Sequence, residues 1–183
     1  DSTPLRVCRN QRILIHKTFK GIAQRGKCSM GWFFGFKLHL ICNEKGELLN
    51  FMITPGDVDD RRPLEYKAFV EFIYGKLVGD RGYISKNLFE RLFIDGIQLI
   101  TKLKSNMKGA LMSVSDKLLL RKRAIIETIN DELKNIAQVE HSRHRCFDNF
   151  IVNMLGALAA YCCFPKKPCI NIERTIDTQL KLF

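Results

Sequence analysis

The chain has very little negative charge at its beginning: residues 1–40 contain eight Lys and Arg residues but only one acid, Asp1. Acids are equally scarce in residues 101–123, where one Asp accompanies seven Lys and Arg residues. Residues 41–100 between these two basic blocks hold ten acids and eight basic residues, and the net charge is +11. Basic blocks are typical of proteins that contact a phosphate backbone, although such charge can also serve solubility alone.

The sequence also lacks a long apolar run and a cysteine motif. The most apolar stretch, residues 150–164, is too short to span a bilayer and predicts a buried helix, so we expect no membrane association. The seven cysteines include no C-x-x-C pair, which argues against a zinc site or a disulfide framework. Together with the lack of a signal peptide, this indicates reduced thiols in a cytoplasmic protein.

Hydrophobic periodicity predicts strands and helices in alternation after a basic arm over residues 2–32, which is either irregular or built of short strands. The predicted elements are strands at 33–42 and 48–54, which form a hairpin, a helix at 62–74, a strand at 76–79, a helix from the N-cap Ser85 to 94, a strand at 97–103, and helices at about 112–121, 123–138 and 147–163. This order predicts one α/β domain over 1–183, with a mixed sheet flanked by helices. Because the hairpin needs a further partner and the chain begins with Asp, we expect the first strand to lack its start.

One predicted helix combines an acid with two cations. Arg123, Glu127 and Lys134 fall on one face at about 3.6 residues per turn. The opposite stripe follows the period of a core-facing helix and comprises Ile126, Ile129, Leu133 and Ile136. The acid face suits a metal ligand beside a polyanion, and it equally suits an ordinary solvated Arg/Glu pair.

Asp131 and Glu132 are alternative acids on the same helix. Glu132 points about 140° away from Glu127, on the geometry of an α-helix, which makes it the weaker candidate.

Two further acids stand out by position. Asp1 is alone among cations, and Asp80 directly follows the apolar strand 76–79. Ligand-binding residues of α/β sheets collect at the carboxyl ends of strands, but an Asp followed by Gly82 is also ordinary turn chemistry. Converging carboxylates can hold two Mg²⁺ ions for phosphoryl chemistry, while nearby Lys and Arg side chains hold the phosphates.

Lys37 and His39 alternate along the strand predicted over 33–42. They are either a pair that touches DNA beside an active site or the exposed face of a half-buried hairpin.

Four segments, taken together and in this order, resemble the catalytic domain of bacterial DDE-type insertion-sequence transposases. They are Asp1-Ser-Thr, Gly35-Phe-Lys-Leu-His39, Gly79-Asp-Arg-Gly-Tyr83 and the Arg-x3-Glu-x6-Lys spacing from Arg123 to Lys134. The resemblance covers nearly the whole chain and implies a ribonuclease H-like fold, in which the first Asp lies on the first strand, the second Asp follows the fourth strand and the Glu lies on a late helix. We accordingly expect Asp1 to end a strand. One departure is Leu120, where many relatives have a tyrosine.

The resemblance further implies that Asp1, Asp80 and Glu127 are catalytic and bind two Mg²⁺ ions, for which Mn²⁺ can substitute. It implies DNA contacts by five basic side chains: Lys37, His39, Arg81, Arg123 and Lys134. It also implies an upstream domain that binds DNA ends.

The expected activity is metal-dependent cleavage at transposon ends and strand transfer into target DNA, by a homo-oligomer in the bacterial cytoplasm near the nucleoid. Two alternatives are a metal-dependent nuclease without joining activity and a basic DNA-binding remnant without catalysis.

Overall fold

The computed structural model describes residues 1–102, 112–121, 123–140 and 144–169. The predicted α/β class with strands of mixed direction is confirmed. The strands are β1 (Ser2–Cys8), β2 (Gln24–Cys28), β3 (Gly31–Cys42), β4 (Leu48–Pro55), β5 (Gly75–Gly79) and β6 (Ile97–Thr101). The helices are α1 (Lys67–Val70), α2 (Lys86–Ile94), α3 (Val114–Arg121), α4 (Ala124–Asn135) and α5 (Phe147–Cys162). Leu103, the predicted last residue of the strand at 97–103, lies outside the described residues.

The long strand β3 is the centre of a four-stranded antiparallel sheet. It pairs with β1 along one edge, and with β2 and β4 along successive parts of the other edge. The β3–β4 pair is the hairpin that the sequence predicts. Its even-numbered residues from Phe34 to Leu40 face one apolar cluster, whereas Ile41 belongs to another, because successive side chains of a strand point to opposite faces.

The remaining two strands, β5 and β6, pair in parallel through the crossover helix α2. As predicted, Ser85 caps this helix: its hydroxyl oxygen accepts a hydrogen bond of 3.4 Å from the backbone N–H of Leu88. Within the described part of the chain, β5 and β6 form a sheet separate from the four-stranded one. The end of β5 at Gly79 places Asp80 at the carboxyl edge of this small sheet.

Of the two alternatives for the basic arm over residues 2–32, the one with strands is confirmed by β1 and β2, whereas the prediction that Asp1 ends a strand is wrong. The backbone nitrogen of Asp1 donates to the carbonyl of Leu40 (3.0 Å), and the N–H of Leu40 donates back to the carbonyl of Asp1 (2.9 Å). The strand then continues for seven residues, in which Thr3, Leu5 and Val7 alternate into the core. The strand therefore continues beyond Asp1, which pairs with Leu40 of β3.

The predicted helix over residues 62–74 is mostly absent. The chain forms a 3₁₀ turn at Arg62–Glu65 and then the single helical turn α1. Phe72 has a φ of 63°, a left-handed conformation that a helix cannot contain. The apolar pattern there marks buried side chains such as Leu64 and Phe69, which belong to the core without belonging to one helix.

Helices α4 and α5 cover one face of the four-stranded sheet. From α4, the residues Ile126, Ile129 and Leu133 enter the larger apolar cluster, as predicted. Ile136 does not: α4 ends at Asn135, and Ile136 is 64% exposed. The buried stripe fixes the rotation of α4 about its axis, and therefore the direction in which its acidic face points.

We expect Ile129→Ala to reduce the free energy of unfolding by about 2–5 kcal/mol, because it deletes a fully buried side chain and leaves a cavity. Ile136→Ala is the matched control from the same predicted stripe, and it should change the free energy of unfolding by less than about 0.5 kcal/mol. Urea unfolding followed by circular dichroism measures both. Equal losses in the two variants would contradict this packing of α4.

Candidate active site

A cavity of about 480 Å³ is lined by residues of both β3 and β5, which belong to different sheets. Apolar side chains line most of it, and its polar lining includes Asp1, His39, Asp60, Asp80, Tyr83 and Arg123. The first and second predicted acids thus share one cavity, although residues 1 and 80 belong to different sheets. Glu127 does not line this cavity.

Local hydrogen bonds hold the two cavity acids in place. Asp80 stands before the 3₁₀ turn Arg81–Tyr83, and its Oδ1 accepts a hydrogen bond of 2.6 Å from the backbone N–H of Arg81. Asp1 Oδ1 accepts a hydrogen bond of 2.8 Å from the N–H of Ser2. Each carboxylate keeps one oxygen with no hydrogen bond to the described residues.

Arg123 joins the second predicted acid to the third. Its Nη1 lies 2.7 Å from Asp80 Oδ1, and its Nη2 lies 3.2 Å from Glu127 Oε1. The contact between Arg123 and Glu127 has the (i, i+4) spacing that the sequence predicts for one helix face. The contact with Asp80 spans two distant parts of the chain. One guanidinium therefore holds the end of β5 against the start of α4.

The three acids do not form a compact ligand cage. In the described ranges, no three His, Cys, Asp or Glu side chains are arranged to hold a metal ion. The chemistry of the donors nevertheless fits Mg²⁺, which binds carboxylate oxygens and keeps several waters. The side chains of Asp80 and Glu127 are more than half exposed, which leaves room for those waters. Their shared cation in this structure is Arg123.

Lys37 and His39 are both largely removed from solvent, so that the alternative of an exposed hairpin face is wrong. Lys37 Nζ donates to the carbonyl of Val58 (2.8 Å) and to Asp60 Oδ1 (2.9 Å). His39 is only 2% exposed, and its Nε2 lies 2.8 Å from the hydroxyl of Thr54. His39 Nδ1 has no hydrogen-bond partner among the described residues. DNA contact by this pair stays a prediction, to which the burial adds no support.

Lys134 and Arg81 differ in whether their charged groups contact other residues of the described structure. Lys134 Nζ donates to the carbonyl of Pro4 (3.0 Å) and lies 3.4 Å from Glu140 Oε2. Glu140 Oε1 accepts a hydrogen bond of 2.9 Å from the N–H of Arg6. Lys134 and Glu140 thus attach the segment containing α4 to β1. Arg81 is exposed beside Asp80 and is free to meet an approaching phosphate.

Sequence reasoning missed Asp60 and Tyr83. Asp60 has no distinguishing pattern, since it follows a turn that contains other acids, and only the fold brings it to Lys37 and the cavity. Tyr83 is buried beneath Asp80. Its burial raises the pKa of its hydroxyl, and the carboxylates of Asp60 and Asp80 raise it further. Tyr83 is the last residue of the segment Gly79–Tyr83 that carries part of the resemblance, and this position could have marked it as a candidate.

The family follows from a comparison of the whole chain. Residues 1–147 match the family model of the transposase DDE domain, which is most of the sequence. The chain therefore belongs to the DDE transposase family, whose members generally use divalent metal ions and act on DNA. No curated protein and no solved structure matches it significantly. Among the described residues there is no helix with the length and hydropathy needed to span a bilayer.

Burial of His39 makes stability depend on pH. Desolvation lowers the pKa of His39 to about 4, against an unperturbed value of 6.5, with Asp60 opposing the shift and Lys37 adding to it. The unfolded chain therefore takes up the proton first. We expect His39 to cost no stability above pH 6.5, and the free energy of unfolding to fall by roughly 3 kcal/mol between pH 6.5 and 4.

Urea unfolding at pH 7 and pH 4.5 tests this dependence on wild type and on His39→Gln. The variant retains an amide to contact Thr54 but lacks the titrating ring, so its loss of stability over this range should be much smaller. An equal loss in both proteins would contradict the assignment.

The contacts of Glu140 give a second test. Glu140→Ala leaves the N–H of Arg6 and the ammonium of Lys134 without their carboxylate, and we expect it to reduce the free energy of unfolding by about 1–3 kcal/mol. Asp131→Asn is the control, because Asp131 is exposed and its side chain bonds, among the described residues, only to Asn135 of its own helix. Its effect in the same denaturant titration should be within about 0.5 kcal/mol; no difference between the variants would refute the role of Glu140.

Proposed function

We propose that the chain is the catalytic domain of a bacterial insertion-sequence transposase, which cuts phosphodiester bonds at transposon ends and joins the freed 3′-hydroxyls to target DNA. Membership of the DDE transposase family supports the class of reaction. The observation that carries the assignment of the site is the shared guanidinium of Arg123, which brings Asp80 and Glu127 together from distant parts of the chain. Asp1 lies in the adjoining cavity.

In this proposal, Asp1, Asp80 and Glu127 hold two Mg²⁺ ions, for which Mn²⁺ can substitute. Such ions activate the attacking water or 3′-hydroxyl and stabilise the leaving oxygen. The donors supply the hard oxygen ligands that Mg²⁺ prefers. Two of them, Asp1 and Asp80, line the same cavity. The protein's part is to fix the carboxylates at the end of β5, the start of β1 and the first turn of α4.

The basic side chains around the site would hold the DNA. Arg81 supports this role best, because it is exposed directly beside Asp80. Arg123 adds a fork-shaped donor that suits phosphate. For Lys37, His39 and Lys134 the proposal requires that their side chains leave the partners described above, or that they act on DNA through the residues they hold.

We further propose a ribonuclease H-like fold over one domain of residues 1–183. The order of elements supports this fold: an antiparallel group of β1, β3 and β4, then the parallel pair β5 and β6, then the helix that carries Glu127. Because two transposon ends must react in one event, the active form is proposed to be a homo-oligomer, acting near the bacterial nucleoid.

One observation favours a second candidate, a basic DNA-binding remnant without catalysis. No three potential metal ligands are gathered together among the described residues. In that case binding would depend on salt, and neither on the carboxylates nor on divalent metal.

The test is cleavage and strand transfer by the full-length protein, with Mg²⁺ or Mn²⁺, on labelled duplexes that carry the transposon end. We expect Asp80→Ala and Glu127→Ala each to reduce both activities by roughly a thousand-fold, because each removes charge stabilisation of several kcal/mol. The matched controls for exposed acids are Asp95→Asn, directly after α2, and Asp131→Asn, on α4, and they should retain activity.

Each other outcome has a distinct meaning. Unimpaired activity in either alanine variant rules out the assigned site. Cut products without joined products, in the presence of a free 3′-hydroxyl and a target duplex, identify a nuclease. Salt-sensitive DNA binding without cleavage, unchanged in the variants, identifies the remnant.

A further inference from the structure

We propose that Arg123 is the resident counter-ion of Asp80 and Glu127, that a divalent metal ion can occupy these carboxylates only by displacing its guanidinium, and that the displaced guanidinium then binds a DNA phosphate. This inference rests on the function proposed above and adds a competition between one side chain of the protein and the metal.

The geometry of the ion pairs makes Arg123 and a metal ion compete for the same two carboxylate oxygens. Nη1 of Arg123 contacts Asp80 at 2.7 Å and Nη2 contacts Glu127 at 3.2 Å, so the guanidinium lies between the two carboxylates. A Mg²⁺ ion that bridges these two oxygens would contact each of them at about 2.0–2.1 Å, and it would therefore have to lie in the same space. Two cations so close also repel each other strongly, by Coulomb's law.

The guanidinium is held by contacts that are weak enough to exchange. Both carboxylates are more than half exposed, while the Arg123 side chain is 29% exposed. Solvent therefore screens the acid side of each pair, and exposed ion pairs contribute only about 0.2–1 kcal/mol each. Arg123 is the residue before the first turn of α4, and its side chain makes no capping hydrogen bond with the helix.

The same position explains why the displaced arginine would turn to phosphate. A cation at the N-terminus of a helix faces the positive end of the helix dipole, so Arg123 is stabilised there chiefly by its two acids. Once a metal ion neutralises those acids, Arg123 loses its partners. A phosphate drawn to the metal offers a replacement with two acceptor oxygens, which matches the fork of a guanidinium.

The decisive measurement is calorimetric titration of the full-length protein with Mn²⁺, in the absence of DNA, so that no reaction takes place. We expect Arg123→Gln to bind Mn²⁺ about five-fold more tightly than wild type, since it removes a competitor held by two exposed ion pairs. Arg81→Gln is the matched control: it removes the same charge beside Asp80, but the Arg81 side chain contacts neither acid in the described structure. It should tighten binding clearly less.

Arg123→Lys separates charge from shape. It keeps the positive charge, but a single ammonium holds two carboxylates less well than a fork does, so its Mn²⁺ affinity should fall between those of wild type and Arg123→Gln. Circular dichroism and thermal unfolding of every variant confirm that each is folded when it is titrated.

The outcomes distinguish this inference from the proposed function. If Asp80→Asn binds Mn²⁺ as wild type does, the metal is not at Asp80, and both the proposed site and this inference fail. If binding depends on Asp80 but Arg123→Gln and Arg81→Gln behave alike, or if Arg123→Gln binds more weakly, only the displacement of Arg123 is refuted.

The transfer to phosphate has its own readout. Fluorescence anisotropy with a transposon-end duplex, with and without Ca²⁺, measures how far a cation with the same oxygen ligands strengthens DNA binding. The gain should be smaller in Arg123→Gln than in wild type, and Arg81→Gln should retain the larger gain even if its overall affinity is lower. Equal gains in all three proteins would overturn the transfer.

Discussion

The structure depends on the pairing of β3, because this strand uses both of its edges and both of its faces. Its edges receive β1 on one side and β2 with β4 on the other. The face with Phe34, Phe36, Leu38 and Leu40 supports α4 and α5, while His39 lines the cavity on the opposite face. The strand β3 therefore positions two of the candidate site residues. Its pairing with β1 locates Asp1, and its packing against α4 sets the direction in which Glu127 points. A site assembled in this way is only as well positioned as the pairing of one strand.

Arg123 connects two parts of the structure, the end of β5 and the first turn of α4, through its side chain. The small β5–β6 sheet and the larger sheet are separate in the described residues, yet the acid at the end of β5 and the acid in the first turn of α4 contact the same guanidinium. Two like charges that approach each other without a cation between them would repel. A side chain of the protein thus contacts both of the carboxylates that are proposed to hold metal. The two carboxylates are kept near each other through this shared guanidinium.

Local signals in the sequence predicted a good part of this arrangement. Ser85, the stripe Ile126–Ile129–Leu133 and the Arg123–Glu127 spacing all act within a few residues, and the structure confirms each. Non-local features were beyond reach. In β1, Pro4 and Arg6 obscured an alternation that only pairing with β3 makes stable. Near Phe72, apolar spacing resembled a helix that the backbone does not form. The contact between Arg123 and Asp80, and the place of Asp60, depend on how distant segments pack, which periodicity does not report.

The attachment of Lys134 and Glu140 to β1 has a consequence for how this protein behaves in concentrated solution. The carbonyl of Pro4 and the N–H of Arg6 point away from β3, so they belong to the outer edge of the sheet. An open edge offers its backbone groups to any passing chain and so invites intermolecular β-pairing. Here a lysine and a glutamate occupy those groups, and a proline removes one donor from the row. These two charged side chains satisfy edge groups that a neighbouring strand would otherwise bond, and this disfavours pairing between the sheets of two copies of the chain.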